Sequence, residues 1–283
     1  MYQRQADLTD NILGIGADGS GIIDEGEQFR RLLAHIHAEF ELRNMRVPTG
    51  FRQKTYFHGE RAAELWSKVQ LLENTYLLKF GNSEYMIPMF EHGQIRVGNA
   101  KSFDDPSLNP AIRDCEVKFT EEWYGTTLEV PRGNLYAADG QNTCIETIGN
   151  VKRVAECSTD YYIACFVMKY DYRLFDDFSR GNKTSYDACL VIRQPQRFIN
   201  RMRECGEREL PEWDFYESPV AYRDPHHPIP YADSLDVFFT KHFRYAYQRE
   251  FRMAWIPPMS DAKLESLEFV LGPLCDHCEL LLL

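Results

Sequence analysis

The sequence has no apolar run approaching the roughly 18 residues that a membrane-spanning helix needs, so no such helix is expected. It begins Met1-Tyr2-Gln3-Arg4-Gln5-Ala6-Asp7, without the apolar core of a secretory leader, and a soluble cytoplasmic protein is expected. No internal repeat and no low-complexity tract occurs. Walker, H-E-x-x-H and G-x-S-x-G motifs are missing, which removes the commonest signatures of nucleotide, zinc-protease and serine-hydrolase chemistry. Positive charge is in short supply. Thirty-two Lys and Arg against 43 Asp and Glu leave a net charge of −11. That argues against nucleic-acid binding through the whole surface and leaves room for a local basic site. The eight cysteines (115, 144, 157, 165, 189, 205, 275 and 278) are scattered. Without an export signal they read as reduced thiols; Cys165 and Cys189 lie inside apolar runs that suit a core.

What is present is ordinary for a globular chain: 283 residues, 44% hydrophobic and 27% charged. Disorder is excluded as the global state, and the length suffices for a sizeable core. At about 150 residues per domain the chain holds two domains, or one with an extension. Residues 1–75 read as a helical N-terminal extension and residues 76–283 as the main domain. The extension carries Gly14-Ile15-Gly16-Ala17-Asp18-Gly19, formally a G-x-G-x-x-G string. No β-branched strand precedes it and Gly21 interrupts the helix that should follow, so it reads as a flexible lead-in. Phe29, Leu32, Leu33, Ile36 and Phe40 recur at helical spacing, stopped by Val47-Pro48-Thr49-Gly50. Ala62, Leu65, Trp66, Val69 and Leu72 predict a second helix. His35 and His37, two apart, cannot face one ligand from a helix and read as solvated or packing residues.

From Tyr76 the pattern predicts strands at 76–80, 94–97, 161–168, 188–192, 215–222, 249–256 and 267–271. It predicts helices at 84–92, at 174–178 and from Gln194-Pro195 through Phe198, Ile199 and Met202. Phe103-Asp104-Asp105-Pro106 reads as a turn. Residues 121–160 follow no clear period, and residues 231–247 read as helix or loop.

The densest chemistry lies in Lys241 to Arg252. A strand there puts Gln248, Glu250 and Arg252 on one face and Phe251, Met253 and Trp255 on the core face, because side chains alternate. Amide, carboxylate and guanidinium in a row suit a site; the plain alternative is a solvated strand face with a Glu–Arg pair. Arg193, Arg197 and Arg201, four apart, form a basic stripe on a helix, with Arg208 beyond. With Lys241, His242, Arg244 and Arg249 they suggest a basic rim fit for a nucleic-acid acceptor; the plain alternative is a solvated helix face. Cys275-Asp276-His277-Cys278 offers soft ligands, but a zinc site needs a second pair, and the spacing does not nominate Cys205 or His226-His227 for it. No metal is assigned. The ending Glu279 to Leu283 is too short to span a membrane and reads as a packed tail or partner contact.

From Tyr76 to Pro273 the order of motifs resembles a bacterial domain-of-unknown-function family of the ADP-ribosyltransferase-like superfamily. The family's L-Y-K-Y strand corresponds to Leu77-Leu78-Lys79-Phe80. Its F-N-D-P turn corresponds to Phe103-Asp104-Asp105-Pro106, and its W-x-x-Y helix to Phe175-Asp176-Asp177-Phe178. The E-x-E-x-R segment falls on Gln248-Arg249-Glu250-Phe251-Arg252, with Lys241 ahead of it. The closing I-x-L-G-P falls on Phe269 to Pro273. The family's C-F-S strand end reads Cys165-Phe166-Val167 here, so its serine is replaced.

The resemblance implies an α+β fold: an ADP-ribosyltransferase-like split mixed or antiparallel β core with flanking helices, preceded by the helical extension. It implies NAD as substrate and mono-ADP-ribosyl transfer through an oxocarbenium-like transition state, in a bacterial toxin or phage-defence effector. Glu250 would stabilise the cation and Gln248 would orient the acceptor. Phe175, Phe178 or Tyr247 would stack on nicotinamide. Lys79 and Arg252 would face the diphosphate, with Phe80 and Asp105 completing the NAD contacts. Nucleic acid is favoured over protein as acceptor, and an inhibitor or antitoxin protein is an expected partner, with no membrane. The alternatives are a protein acceptor, an NAD glycohydrolase, and a non-catalytic binding module on the same fold.

Overall fold

The computed structural model describes residues 1–15, 21–23, 26–48, 64–65, 67, 76–109, 111–124, 127–130, 143–146, 149–171, 174, 177–178, 186–226, 236–258 and 263–282. The chain opens with α1 (Tyr2–Ile12), then β1 (Leu13–Ile15), β2 (Gly21–Ile23) and α2 (Glu27–Leu42). β3 (Leu77–Gly81), α3 (Ser83–His92) and β4 (Gln94–Asn99) follow. Next come β5 (Lys118–Tyr124), β6 (Thr127–Val130), β7 (Thr143–Glu146), β8 (Asn150–Glu156), β9 (Tyr162–Val167) and β10 (Ala188–Ile192). The last part holds α4 (Pro195–Glu209), β11 (Asp214–Pro219), β12 (Ala221–Arg223), β13 (Thr240–His242), a 3₁₀ segment (Phe243–Gln248), β14 (Glu250–Ile256), β15 (Leu267–Val270) and β16 (Cys278–Leu282). The class is α+β. Among the described residues no helix is long and apolar enough to cross a membrane.

The main sheet has eight strands in the order β11-β14-β9-β3-β10-β16, with β4 joining β9 from the side and β15 pairing β4. Every pairing in it is antiparallel; the one parallel pair among the described strands is β12 with β13. The sheet splits in its middle. β3 meets β9 at a single register pair, Leu78 with Val167, and β9 continues instead beside β4, at Gly98 with Ile163 and Asn99 with Tyr162.

Strand alternation divides the core. Tyr162, Ala164 and Phe166 of β9 and Met253 and Trp255 of β14 point to the side covered by α3 and α4, where Phe198, Ile199 and Met202 meet them. Pro195 opens α4 at its first turn, where a missing N–H costs nothing. Ile163, Cys165 and Val167 take the other side of β9, and Glu250, Arg252 and Ala254 the same side of β14. The alternation expected for residues 250–255 is therefore what forms, but its polar face is buried. Glu250 is 4% exposed and Arg252 is 0% exposed, so the solvated-face alternative falls.

Several expectations need correction. The glycine-bearing lead-in contains an antiparallel pair, β1 with β2, after a helix that no motif announced. Residues 121–160 include two antiparallel pairs, β5 with β8 and β6 with β7. The tail packs, as expected, and it does so as an edge strand, with Leu280 registered on Leu190 of β10. The N-terminal extension packs on the main domain: Leu8, Leu32, Ile36 and Phe40 form a core with Phe243 and Tyr222. Of the helix expected at 62–72, Glu64, Leu65 and Ser67 are helical and Leu65 is buried; the remainder lies outside the described residues.

Candidate functional site

Where β3 and β9 part, a cavity of about 120 Å³ opens. Its walls are apolar and aromatic: Leu78, Phe80, Phe103, Ile112, Phe166, Val167, Phe178 and Tyr186. Phe80 and Phe178 lie 5.5 Å apart, centroid to centroid, and Phe178 and Tyr186 6.1 Å, so three rings form one side. The polar groups converging on it are Lys79, Glu116, Lys241, Gln248 and Glu250. A concave apolar space with a few aimed polar groups is the usual character of a ligand site. Its volume is well below the roughly 300–1,000 Å³ of pockets for drug-sized ligands, which suits one ring rather than a whole dinucleotide.

The chain builds the polar end from three distant segments. Glu250 opens β14 and follows Arg249, whose φ of 43° puts a non-glycine residue in the left-handed region. That sharp corner turns the chain from the 3₁₀ segment into the strand, so Gln248 and Glu250 both face the cavity. Glu250 is held on each side. Its Oε2 accepts from Lys241 Nζ at 2.8 Å and its Oε1 from Arg252 Nε at 2.8 Å. Glu116 closes the ring, with Oε1 3.4 Å from Lys241 Nζ and Oε2 2.6 Å from Arg252 Nη2. Arg252 Nη1 also donates to the Phe238 carbonyl oxygen at 2.6 Å. Two carboxylates and two cations thus neutralise each other out of water, which is the condition for burying either.

The electrostatics follow from that ring. Burial works to raise the Glu250 pKa, but Arg252 and Lys241 outweigh it and hold the carboxyl well below its usual range. Burial works to lower Lys241, and Glu250 and Glu116 outweigh it, so the amine stays charged. Asp114 stands just outside, pushed up to about 6 by burial and then by Glu116. Burial pushes the Cys165 thiol up to about 12, leaving it a neutral wall. Lys79 spans the opening between the strands: its Nζ donates to the Cys165 carbonyl oxygen at 2.9 Å and sits 5.3 Å from the Phe166 ring centroid. Burial lowers its pKa, opposed by Cys165 and Glu250. Gln248 Nε2 donates to the Ala111 carbonyl oxygen at 2.5 Å, and its Oε1 lies 3.5 Å from Lys241 Nζ.

The sequence-derived residues divide accordingly. Lys79, Phe80, Phe178, Lys241, Gln248 and Glu250 meet at the cavity. Arg252 does not face a diphosphate; it is sealed behind Glu250 and spends its donors on Glu116, Glu250 and Phe238. Lys241 is not a rim residue, being buried in the same ring. Asp105 is exposed in its turn, where its Oδ1 accepts from the Ser107 amide at 2.8 Å, and it does not line the cavity. Tyr247 is half-buried behind the wall, against the cluster that holds Phe80 and Tyr170. Phe175 lies outside the described residues.

The basic rim does not assemble. Arg193 pairs with Glu279 at 2.8 Å, Arg197 with Asp276, and Arg201 donates to the backbone carbonyls of Leu271, Gly272 and Pro273. Arg197 and Arg201 tether the C-terminal segment to α4; Arg193 stands before the helix, just past β10, so the expected helical stripe holds only two of the three. Arg244 is exposed and donates to the Tyr245 hydroxyl at 2.7 Å; neither it nor Arg249 lines the cavity. His277 is buried and pairs through Nδ1 with Asp276, and Cys278 starts β16. Among the described residues no group of three His, Cys, Asp or Glu side chains could hold a metal ion. Sequence reasoning missed Glu116. It lies in an irregular stretch 134 positions from Glu250, and only the tertiary fold joins them.

No family model matches this chain, and no curated protein and no solved structure matches it.

Proposed function

We propose that the protein is an NAD-dependent mono-ADP-ribosyltransferase whose reacting centre is the cleft between β3 and β9. The observation that carries this is the placement of Glu250: a charged carboxylate at the end of an aromatic-walled cavity the size of one ring, beside Gln248 and Lys79. A planar nicotinamide would enter between Phe80, Phe178 and Tyr186, leaving the remainder of NAD outside. Breaking the bond from C1′ to the nicotinamide nitrogen sends its electron pair to the ring, which leaves neutral, and builds positive charge on the ribose. Glu250 stays anionic at neutral pH because Arg252 and Lys241 favour its charged form, so it answers that charge without a change of protonation. Gln248 orients the acceptor, and Lys79 lines the cavity beside Cys165. In this reading the protein is a bacterial toxin or defence effector.

Hydrolysis is the second reading. What supports it is that Arg193, Arg197 and Arg201 are engaged with the C-terminal segment, which weakens the argument for a nucleic-acid acceptor, and that water fits a narrow cavity. The test is incubation with adenylate-labelled NAD and a lysate divided into protein, DNA and RNA, beside Glu250→Gln. The expected result is NAD loss that the variant reduces by about 10²-fold or more. Label in one fraction then names the acceptor, and free ADP-ribose without label marks the hydrolase. Unchanged NAD in all samples refutes both.

A further inference from the structure

Gln248 and Glu250 flank a corner that regular secondary structure does not secure. The 3₁₀ segment before it makes short-range bonds of poorer geometry, and Arg249 sits in the left-handed region, which costs a non-glycine residue about 1–2 kcal/mol. Such a conformation persists only when its surroundings over-determine it. Here the surroundings come from the other end of the chain. Asn11, on the last turn of α1 and 4% exposed, reaches the 3₁₀ segment with both ends of its amide. Its Oδ1 accepts from the Tyr247 amide at 2.6 Å and its Nδ2 donates to the Arg244 carbonyl oxygen at 3.2 Å. Nδ2 also donates to the Asp7 carbonyl oxygen at 2.7 Å, so the side chain is fixed to its own helix.

The same helix holds the corner from a second side. Arg4, 6% exposed, donates from Nε to Asp224 Oδ2 at 2.7 Å and lies 3.3 Å from Glu39 on α2. Asp224 directly follows β12, whose Tyr222 hydroxyl accepts from the Glu250 amide at 2.8 Å. The backbone of the corner then runs into the sheet, as Arg249 accepts from the Met168 amide at 2.9 Å and Glu250 from the Val220 amide at 2.9 Å.

We propose that Asn11 is a positioning residue for Gln248 and Glu250, and that α1 is therefore a working part of the cleft rather than an appendage. The helix grips the 3₁₀ segment through Asn11 and the β12 end through Arg4, and the corner between them aims both side chains into the cavity. The role in turnover rests on the NAD reading; the mechanical role does not.

The experiment compares the wild-type full chain with Asn11→Leu, which loses both hydrogen bonds to the 3₁₀ segment, and Asn11→Asp, which keeps only the acceptor. Each is read by amide hydrogen exchange, by thermal midpoint and by NAD turnover. In Asn11→Leu the Tyr247 amide exchanges faster by about five- to tenfold, the worth of one net hydrogen bond, and the Glu250 and Met168 amides accelerate with it. The kcat falls by about tenfold to a hundredfold with KM within about twofold, as a misplaced reacting group requires. Asn11→Asp lies between. Acceleration confined to Tyr247 overturns the proposal, because the corner then holds without Asn11. Unchanged kcat in an otherwise active protein overturns it too. Should Asn11→Leu unfold, Asn11→Asp carries the same readings. If the wild type leaves NAD intact, the NAD reading fails, and the Glu250 and Met168 amides still decide the mechanical role.

Discussion

Arg252 and Arg197 each pair with a carboxylate, yet Arg252 is wholly buried while the side chain of Arg197 is about half exposed. Around Arg252 the partners are enclosed too: Glu116, Lys241 and Glu250 shield one another from solvent on the inner face of the split sheet. On and just before α4, Arg193 and Arg197 are about half exposed and Arg201 partly so, and they reach carboxylates and carbonyls of the C-terminal segment. The residue types are the same and the physics is not. An exposed pair gives up little hydration and gains little, whereas a buried set is either complete or severely unfavourable. Burial thus converts the inner ring into a fixed electrostatic frame for one carboxylate. It leaves the outer stripe as a fastening.

The sharpest way to break the comparison is to remove one member of the inner ring. Arg252→Leu fills the space but leaves Glu116 and Glu250 with only Lys241. The expected loss is about 3–5 kcal/mol of unfolding free energy, read from the denaturant midpoint. A loss like that of a surface arginine would mean that water reaches the ring.

A second, smaller effect tests the charge balance by pH. The ring itself is neutral, and Asp114 beside it is the surplus carboxylate. Its folded-state pKa of about 6 lies above the ordinary 3.8, so the native state binds more protons between those values. Stability from this group therefore falls as pH rises through that window. His242 acts oppositely. Burial and then Arg244 bring it from 6.5 down to about 4, so its contribution is lost as pH falls through much of the same window. The wild-type curve sums the two, and Asp114→Asn removes only the first. The variant's stability advantage over wild type is expected to grow from pH 4 to 6, by about 3 kcal/mol at most, and then level off. A pH-independent offset between the two urea curves would detach Asp114 from the ring.

How far the site was legible follows the same division. The period-two pattern of residues 250–255 was enough to put Glu250 and Arg252 on one face and Trp255 on the other. Local propensity and Pro195 sufficed for α4. Burial of the polar face was not legible, because an alternating strand looks the same whether its polar side meets water or a second set of charges. Glu116 and Asn11 had no signal at all, since each acts through a contact more than 130 positions away within irregular or unannounced structure. Of the arginine stripe, Arg197 and Arg201 share α4 as their spacing requires, while Arg193 precedes the helix, and all three have partners. Of its partners, Glu279 belongs to what the sequence left as a tail and Asp276 to the Cys275–Cys278 run read for soft ligands.

The smallest expected effect sharpens the contrast from the outer side. Arg193 pairs with Glu279 at 2.8 Å, with both side chains at least one-third exposed. β16 does not depend on that pair: five register partners join it to β10, and its own Leu281 packs in the cluster with Leu78, Cys189 and Val191. Arg193→Ala should therefore cost about 0–1 kcal/mol, less at high salt, in the same denaturant measurement. Turnover and acceptor labelling should stay at wild-type levels, because Glu279 offsets the guanidinium charge. A selective loss of nucleic-acid labelling in Arg193→Ala, with stability intact, would restore this arginine to the acceptor surface and make the ion pair a latch that the acceptor opens.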